Sequence, residues 1–471
     1  MEELTKLVSN INSFIWGMYC LIPLLCGVGI YFTIRLKFIQ VRKFGQAVRM
    51  LFGDLSLKGK RADKHGMSSF QSVATAIAAQ VGTGNLAGAA TAIAMGGPGA
   101  IFWMWIAAFF GMATIFAEAV LAQVYRTRDD AGHITGGPAY YISKGLGSHK
   151  LAVFFSVSII IALGCIGNMV QSNSIADAFK TAFDVPPLVM GLIIAACGAF
   201  VFFGGIGRIA AVTEKMVPLM ALLYVIGGLF VVLSNADQII PAFKMIFVGA
   251  FDPSAATGGI IGAGVKEAIR YGVARGLFSN EAGMGSTPHA HAQANVKDPH
   301  EQGTVAMIGV FIDTFVVLTI TALTAVITLY TKGGILADGT IPEAINKTNL
   351  AQTAFGTLLG EAGGNIFIAI ALFFFAFSTV LGWNMFGKIN VAYLFGKNAK
   401  SEKIATTVYT VISLIFIFLG TLASNDLVWE LSDMFNQLMV IPNVIGLIAC
   451  GGLVVSLTHF NKKKDQIKVV E

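Results

Sequence analysis

Long apolar runs recur along the whole chain and are separated by shorter polar segments. A helix needs about 20 apolar residues to cross the hydrocarbon core of a bilayer. The seventh run is the least apolar, because several charged residues interrupt it. The pattern predicts an all-α polytopic membrane protein with about eleven spans, near residues 12–35, 67–95, 98–125, 151–178, 187–204, 212–234, 258–290, 303–330, 362–395, 403–423 and 429–458.

The composition supports a lipid-facing surface. Hydrophobic residues make up 55% of the chain and charged residues 12%, whereas soluble domains carry roughly 25% charged residues. The mean hydropathy is +0.73. The 5 Cys residues are scattered through apolar runs, a distribution that favours packing over a disulfide framework or a zinc site.

Positive residues alternate between the two sides of this arrangement. Short cytoplasmic loops collect Lys and Arg, and most of the 32 such residues fall in every second segment between runs. This predicts a cell-membrane protein with its N-terminus outside and its C-terminus cytoplasmic. The net charge of +6 is then an effect of topology and does not indicate nucleic-acid binding. The predicted outside segments contain only Lys6, Lys180, Lys244, Lys332 and Lys347.

Two segments between runs carry their own patterns. The stretch from Leu36 to Gly66 is basic and partly amphipathic, and we expect it to lie on the cytoplasmic membrane surface. The largest predicted outside loop, 331–361, ends in NLAQTAFGTLLGEAG. That motif predicts a short helix over the extracellular face.

The second run is interrupted near its midpoint, at AAQVGTGNLAG. Irregular backbone at membrane depth is tolerated only where it is buried in protein or lines a cavity. N–H groups freed by such a break attract carboxylates, and freed carbonyls attract cations. The alternative is that small residues merely allow close helix packing. The break predicts a solute-binding segment containing Gln80, Gly82, Thr83, Gly84 and Asn85.

The seventh run contains a second polar segment, FSNEAGMGSTPHAHA, with Ser279, Asn280 and Glu281 followed by Gly283. A charged side chain at membrane depth costs about 2.5–3.5 kcal/mol on insertion scales. Glu281 therefore needs a partner, either Arg275 or a bound cation. Two roles stay open for Glu281: direct contact with a solute, or holding the break by accepting hydrogen bonds from freed backbone donors.

The two interruptions lie five spans apart. Five is an odd number, so spans 2–6 and 7–11 would enter the membrane from opposite sides, as in an inverted repeat. Corresponding interrupted spans in two halves indicate a binding site near the bilayer midplane. The predicted organisation is an N-terminal helix with a basic loop, two five-helix halves and a tail, at residues 1–66, 67–234, 235–458 and 459–471.

Polar side chains in other runs are further candidates. Gln171 shares a helix face with Asn168 in the fourth run, and either amide could bind a zwitterion or another helix. Ser378 and Thr379 in the ninth run could surround sodium together with freed carbonyls of the second run. They could also bond back to their own helix. Trp383, one turn after Thr379, could wall the solute pocket.

The remaining polar residues carry less information. Asp313 and Glu118 are further acids within spans, and could relay protons or pair with cations. His289 and His291 are two residues apart, a poor spacing for metal ligands on a helix. The sequence has no motif that indicates a catalytic centre or an enzyme cofactor.

Three segments together resemble a known family. The segment GGPGAIFWMWIAAFFG, from Gly96 to Gly111, is similar to the signature of the prokaryotic alanine or glycine:cation symporters. AAQVGTGNLAG and FSNEAGMGSTPHAHA are similar to segments of its members. The resemblance extends over essentially all spans.

This resemblance implies the leucine-transporter-like fold, a 5+5 inverted repeat with one extra N-terminal helix. It implies import of alanine or glycine, with sodium as the coupling ion and no other cofactor. The Thr83 and Gly84 amides would bind the substrate carboxylate, and the Gln80 region with the seventh-run break would receive the amino group. The implied sodium ligands are the carbonyls of Ala78 and Val81 with the hydroxyls of Ser378 and Thr379.

Alternatives remain open. One is a proton-coupled amino-acid carrier in which Glu281 or Asp313 titrates. Another is a channel or a receptor-like sensor built on the same fold. The sequence leaves open the choice between alanine and glycine, the enantiomer, the sodium stoichiometry and the oligomeric state.

Overall fold

The structure is a computed structural model that describes residues 2–15, 21–53, 66–129, 132–252, 264–331, 333–337, 349–396 and 398–459. The described chain is almost entirely helical. In chain order its helices are α1 Glu2–Ile15, α2 Leu21–Arg35, α3 Ile39–Arg42, α4 Phe44–Gly53, α5 Ser69–Gln80, α6 Ala89–Gly96, α7 Ala100–Val124, α8 Pro138–Lys144, α9 His149–Phe183, α10 Pro187–Phe202, α11 Gly205–Ser234, α12 Ile239–Gly249, α13 Val265–Asn280, α14 Pro288–Ala292, α15 Pro299–Tyr330, α16 Asn349–Leu359, α17 Glu361–Phe395, α18 Ala399–Leu422 and α19 Asn425–His459.

Seven of these helices, namely α7, α9, α11, α15, α17, α18 and α19, are long and apolar enough to cross a membrane. They coincide with seven of the predicted runs. Helices α2 and α10 are apolar but shorter. The first run was expected to be one helix from residue 12, but α1 and α2 are described separately and residues 16–20 lie outside the described residues. The total of eleven spans remains a prediction.

Helices α9 and α15 contain wider π-helical turns that the apolar pattern does not predict. In α9 these turns cover Ile160–Gly167, and in α15 they cover Phe311–Leu318 and Val326–Tyr330. Such turns are frequent at functional sites. Asp313 lies in the first π-helical segment of α15.

The second and seventh predicted spans are each two helices. Helix α5 ends at Gln80, and a π-helical turn, Gly84–Gly88, leads into α6. Helices α13 and α14 are separated by residues 281–287. Both predicted breaks are therefore present in the backbone. We refer to residues 81–85 as the first break and to residues 281–287 as the second break.

The two broken spans run antiparallel and lie side by side. Just before α5, the backbone of Met67 exchanges hydrogen bonds with Gln293 and Asn295, which follow α14. At the other end, a Cβ added at Gly96 would lie 3.1 Å from the Cα of Ala268 in α13. The start of each span thus contacts the end of the other, and the breaks face each other between these contacts.

Small residues allow α13 to approach α7 closely. A Cβ at Gly272 would lie 2.3 Å from the carbonyl oxygen of Ala100, and one at Gly276 would lie 3.3 Å from the Cα of Met104. The two glycines are four residues apart and so share one face of α13. Such small-residue faces are a common means of packing helices in membranes.

The other segments follow the sequence pattern in part. Helices α3 and α4 occupy the amphipathic part of the basic segment, and α16 lies in the predicted helical end of loop 331–361. The basic residues 54–65, most of the 331–361 loop before α16 and the tail after 459 lie outside the described residues. Helix α12 and the hairpin formed by strands Thr127–Arg128 and Ile134–Thr135 were not predicted.

Candidate functional site

The first break is held by its own Asn85 and by side chains from two other helices, α9 and α15. The backbone N–H of Thr83 donates to Gln171 Oε1 of α9 at 3.2 Å. Asn85 accepts from the backbone N–H of Gly82 at 2.9 Å and donates through Nδ2 to Asp313 Oδ1 of α15 at 2.7 Å. Gln171 and Asn85 therefore both bond the backbone of the first break, and a role of Gln171 in binding the solute remains a prediction.

The end of α5 meets the hydroxyl pair of α17. Ser378 Oγ lies 3.2 Å from the carbonyl oxygen of Ala78, and Thr379 Oγ1 lies 3.0 Å from the same oxygen. Thr379 Oγ1 is also 3.5 Å from the carbonyl oxygen of Val81. Both hydroxyls in addition contact Phe375 O of their own helix. The structure thus brings together the four oxygens that were expected to surround sodium.

The second break has a backbone that only particular residues adopt. Gly283 and Gly285 have φ values of 85° and 81°, and Glu281 has φ 58°. Positive φ is unstrained for glycine but uncommon for other residues. The Glu281 carboxylate accepts hydrogen bonds from Ser286 Oγ and from Trp383 Nε1 of α17. The indole N–H of Trp383 therefore bonds the second break at Glu281.

Arg275 is not the partner of Glu281. Its guanidinium forms a bidentate ion pair with Asp433 of α19, at 2.9 Å and 2.6 Å, and lies 5.2 Å from the ring centre of Trp429. One of the two compensations predicted for Glu281 is therefore wrong. The reason is that Arg275 lies earlier on α13, on a face that meets α19.

Two backbone donors of the second break donate to Glu118 of α7, and a third, the N–H of Ala282, donates to Asn280 Oδ1. The N–H of Gly283 donates to Glu118 Oε2 and that of Gly285 to Oε1, each at 3.1 Å. Asn443 Nδ2 of α19 adds a third bond to Oε1 at 2.7 Å. The sequence assigned this backbone-holding role to Glu281 as one alternative. The sequence offers only one pointer to Glu118, an acid within an apolar span.

Asp313 connects the two breaks. Its carboxylate accepts from Asn85 in the first break and from Ser279 Oγ at the end of α13, 3.1 Å from each oxygen. Its neighbour Thr314 accepts from Asn280 Nδ2 at 3.1 Å. A further link runs from Gln80 Nε2 to the carbonyl oxygen of Asn280 at 2.8 Å. The site residues predicted on the second and seventh spans are thus in direct contact.

Three acidic side chains are buried around the two breaks. Glu118, Glu281 and Asp313 are fully buried, and within the described part of the chain none of them forms a salt bridge. Two polar atoms at the first break, Thr83 Oγ1 and Gln80 Oε1, are buried without a hydrogen-bond partner among the described residues. Buried polar groups usually have partners, so this centre is suited to a ligand carrying positive charge and hydrogen-bonding groups.

Two other candidates have structural partners. Asn168 donates to the carbonyl oxygen of Gly164 and to Ser413 Oγ of α18, so it serves helix packing and not the break. His289 stacks on Phe155 and Phe386, and its Nδ1 contacts the carbonyl oxygen of Ser286. No cluster of three metal-ligating side chains occurs in the described ranges.

Comparisons with known proteins agree with this architecture. The profile of the sodium:alanine symporter family matches residues 1–470. The chain is 43% identical to the sodium/alanine symporter AgcS of Methanococcus maripaludis over 99% of both chains. It is 39% identical to the amino-acid carrier protein AlsT of Bacillus subtilis, over 94% of this chain and 90% of that one. A mutant of the manganese transporter of Eremococcus coleocola has a similar fold, with a TM-score of 0.54, 13% identity, and coverage of 87% and 89%.

The paired breaks, the apolar helices and these similarities define a multi-pass membrane transporter, and the solved structures with a similar fold have the leucine-transporter fold. The chain belongs to the sodium:alanine symporter family.

Proposed function

We propose that this protein imports alanine or glycine together with sodium by alternating access. Family membership supports amino-acid symport. The main support for sodium coupling is the group of four oxygens at the contact between the end of α5 and α17.

The proposed sodium ligands are the carbonyl oxygens of Ala78 and Val81 and the hydroxyls of Ser378 and Thr379. Neutral oxygens in a compact group suit a hard monovalent cation, because they replace its hydration shell. Both hydroxyls lie within 3.2 Å of Ala78 O. Since α5 and α17 both contribute ligands, bound sodium would stabilise their contact and couple the ion to the shape of the first break.

The substrate would lie between the two breaks. We assign its carboxylate to Thr83 Oγ1, which lacks a partner among the described residues, and to the backbone N–H groups of Thr83 and Gly84. The Thr83 N–H donates to Gln171 Oε1 in this structure, so the substrate carboxylate would have to replace that oxygen or share the donor with it. The amide donors of Gly283 and Gly285 are taken by Glu118, so the second break presents mainly acceptors. We therefore assign the amino group to the region of Gln80, Ser279, Asn280 and Glu281.

The contacts of Trp383 favour a small substrate. A Cβ at Gly167 would lie 2.6 Å from Trp383 Cζ3, and the Trp383 indole is bonded to Glu281. The indole is therefore held on two sides and cannot move aside for a long side chain. In this proposal Gln171 and Asn85 shape the pocket through the backbone of the first break, which they bond. Gly283 shapes it through its own positive φ.

The proposed topology has eleven spans, with the N-terminus outside and the C-terminus in the cytoplasm. Residues 67–234 and 235–458 would form the two inverted five-helix halves, preceded by residues 1–66 and followed by the tail 459–471. The antiparallel contact of the two broken spans supports this arrangement, because equivalent spans of inverted repeats run in opposite directions.

The test is uptake of labelled alanine and glycine into proteoliposomes. An inward sodium gradient should drive accumulation above the external concentration. Thr379→Ala should raise the sodium concentration for half-maximal uptake about tenfold, a loss of about 1.4 kcal/mol typical of one ligand contact. Gln80→Ala and Gln171→Ala should lower uptake. The matched control is Thr328→Ala, since among the described residues the Thr328 hydroxyl bonds only to Thr324 O of its own helix.

The second candidate is proton coupling, which is favoured by three buried acids that form no salt bridge with any described residue. Uptake driven by a pH gradient in sodium-free buffer would support it and contradict the sodium proposal. Downhill flux without accumulation would instead indicate a channel. Normal sodium-driven uptake in all three site variants would reject the site while leaving the family assignment intact.

A further inference from the structure

The second break leaves backbone groups without helical partners. Asn280, next to the break in sequence, accepts from the N–H of Ala282, and two side chains from other helices bond the backbone of Gly283 and Gly285. Glu118 of α7 accepts from the amides of Gly283 and Gly285. Asn443 of α19 donates to Glu118 and also, at 2.9 Å, to the carbonyl oxygen of Gly283. Both side chains are fully buried. Glu118 and Asn443 thus form one hydrogen-bonded unit with the break.

We propose that Glu118 and Asn443 are positioning residues for transport: they fix the second break in the shape that presents Ser279, Asn280 and Glu281 to the substrate. This inference rests on the proposed function, in which the second break receives the amino group. Neither residue contacts the substrate in this account. They act through the backbone of Gly283 and Gly285.

The chemistry explains why a carboxylate occupies position 118. The φ values of 85° at Gly283 and 81° at Gly285 turn two nearby N–H groups towards one point, and such a concavity binds anionic oxygens. A carboxylate accepts from all three N–H donors around it. A glutamine amide offers one accepting oxygen and an NH₂ group, so at least one donor of the break would lose its partner.

The geometry also separates Glu118 from the other buried acids. Glu281 accepts only from side chains, Ser286 and Trp383, and Asp313 links Asn85 with Ser279. Among these three acids, only Glu118 accepts from backbone N–H groups of the second break. It is therefore the acid whose replacement should loosen that break without removing a contact between the two broken spans.

The test compares Glu118→Gln with the wild type in two measurements. The first is hydrogen–deuterium exchange of the purified protein, where amides in 281–287 should exchange about tenfold faster, as expected when a local hydrogen bond is lost. The second is alanine uptake at saturating sodium, where the apparent KM should rise about tenfold. Asn443→Leu removes the other half of the unit and should change both measurements in the same direction.

The control is Gln352→Leu. Gln352 is also a buried amide that donates to two backbone carbonyls, Ala178 and Asn365, each at 3.3 Å, but far along the chain from either break. It should lower thermal stability while leaving the alanine KM and the exchange of 281–287 unchanged. A purely structural role for Glu118 would give that same pattern.

Wild-type exchange at 281–287 together with a wild-type KM in Glu118→Gln would overturn the inference. If Glu118→Gln does not yield folded protein, Asn443→Leu decides by the same two criteria. If the wild-type protein carries no alanine, the proposed function fails, and the exchange measurement still decides whether Glu118 holds the break.

Discussion

Gly82 occupies a confined position in the first break. A Cβ there would lie 2.4 Å from Thr379 Oγ1 and 3.2 Å from Gln171 Oε1. The Thr379 hydroxyl would have to leave the carbonyl oxygen of Ala78. Overpacking of this kind typically costs about 1–3 kcal/mol. We expect Gly82→Ala to lower the initial rate of sodium-driven alanine uptake at least about tenfold and to raise the sodium requirement.

The same segment offers a matched control. Gly88 lies in the helical turn after the break with φ −66°, and a Cβ there would lie 3.9 Å from its nearest neighbour, the carbonyl oxygen of Thr83. Alanine also has a higher helix propensity than glycine. Gly88→Ala should therefore transport normally. Equal activity in the two variants would show that the space around Gly82 does not matter for transport.

For individual residues, sequence motifs predicted which side chains belong to the candidate site but not all of the groups that those side chains contact. The hydroxyl pair Ser378–Thr379 and the interrupted end of α5 were recognisable as motifs, and the structure brings them into contact. The partner of Arg275 was not recognisable. Asp433 is 158 residues away in sequence, and only the packing of α13 on α19 selects it over the nearby Glu281.

Hydropathy predicts helices well when their apolar run is continuous. It placed α7, α17 and α18 to within a few residues. It could not predict the π-helical turns of α9 and α15, because these depend on how each backbone packs and not on composition. It also missed α12, which lies between two predicted spans and is too short to cross a membrane.

The contact between α13 and α19 supports a prediction about stability. Arg275 and Asp433 are both buried, and removing one partner leaves an uncompensated charge, which costs about 3–5 kcal/mol. Arg275→Met and Asp433→Leu should each lower the thermal unfolding temperature in detergent sharply. The double variant leaves no buried charge at this pair, so it should recover much of the loss.

An exposed pair provides the comparison. His133 and Asp129 lie 3.2 Å apart in the hairpin region, and the His133 side chain is 58% exposed. Exposed ion pairs contribute about 0–1 kcal/mol, so His133→Ala should leave the unfolding temperature nearly unchanged. If the Arg275 and Asp433 losses simply add in the double variant, the pair does not stabilise the contact between α13 and α19.

In the molecule as a whole, the two broken spans lie side by side in opposite directions. Their antiparallel contact joins residues before α5 to residues after α14 at one end, and α6 to α13 at the other. This antiparallel direction is the one expected if five spans separate the breaks, because an odd number of crossings reverses direction, while the number of spans itself stays a prediction. The hydrogen bonds that Asp313 makes to both breaks, and those that Glu118 makes to the second break, could not be predicted, since both acids lie on helices outside the broken spans.

The seventh span is the critical one for topology, because its low hydropathy makes it the easiest to misassign. Lys266, the second residue of α13, and Glu301, which follows α14 in sequence, are exposed residues near its two ends. In a cysteine-free background, Lys266→Cys should react with a membrane-impermeant maleimide in intact cells. Glu301→Cys should react only after permeabilisation, as should Lys400→Cys at the start of α18, because two further spans separate Glu301 from Lys400. Labelling of positions 266 and 301 from the same side would mean that α13 and α14 do not cross the membrane together. The inverted relation between the two halves would then fail, since it requires each broken segment to be a complete crossing.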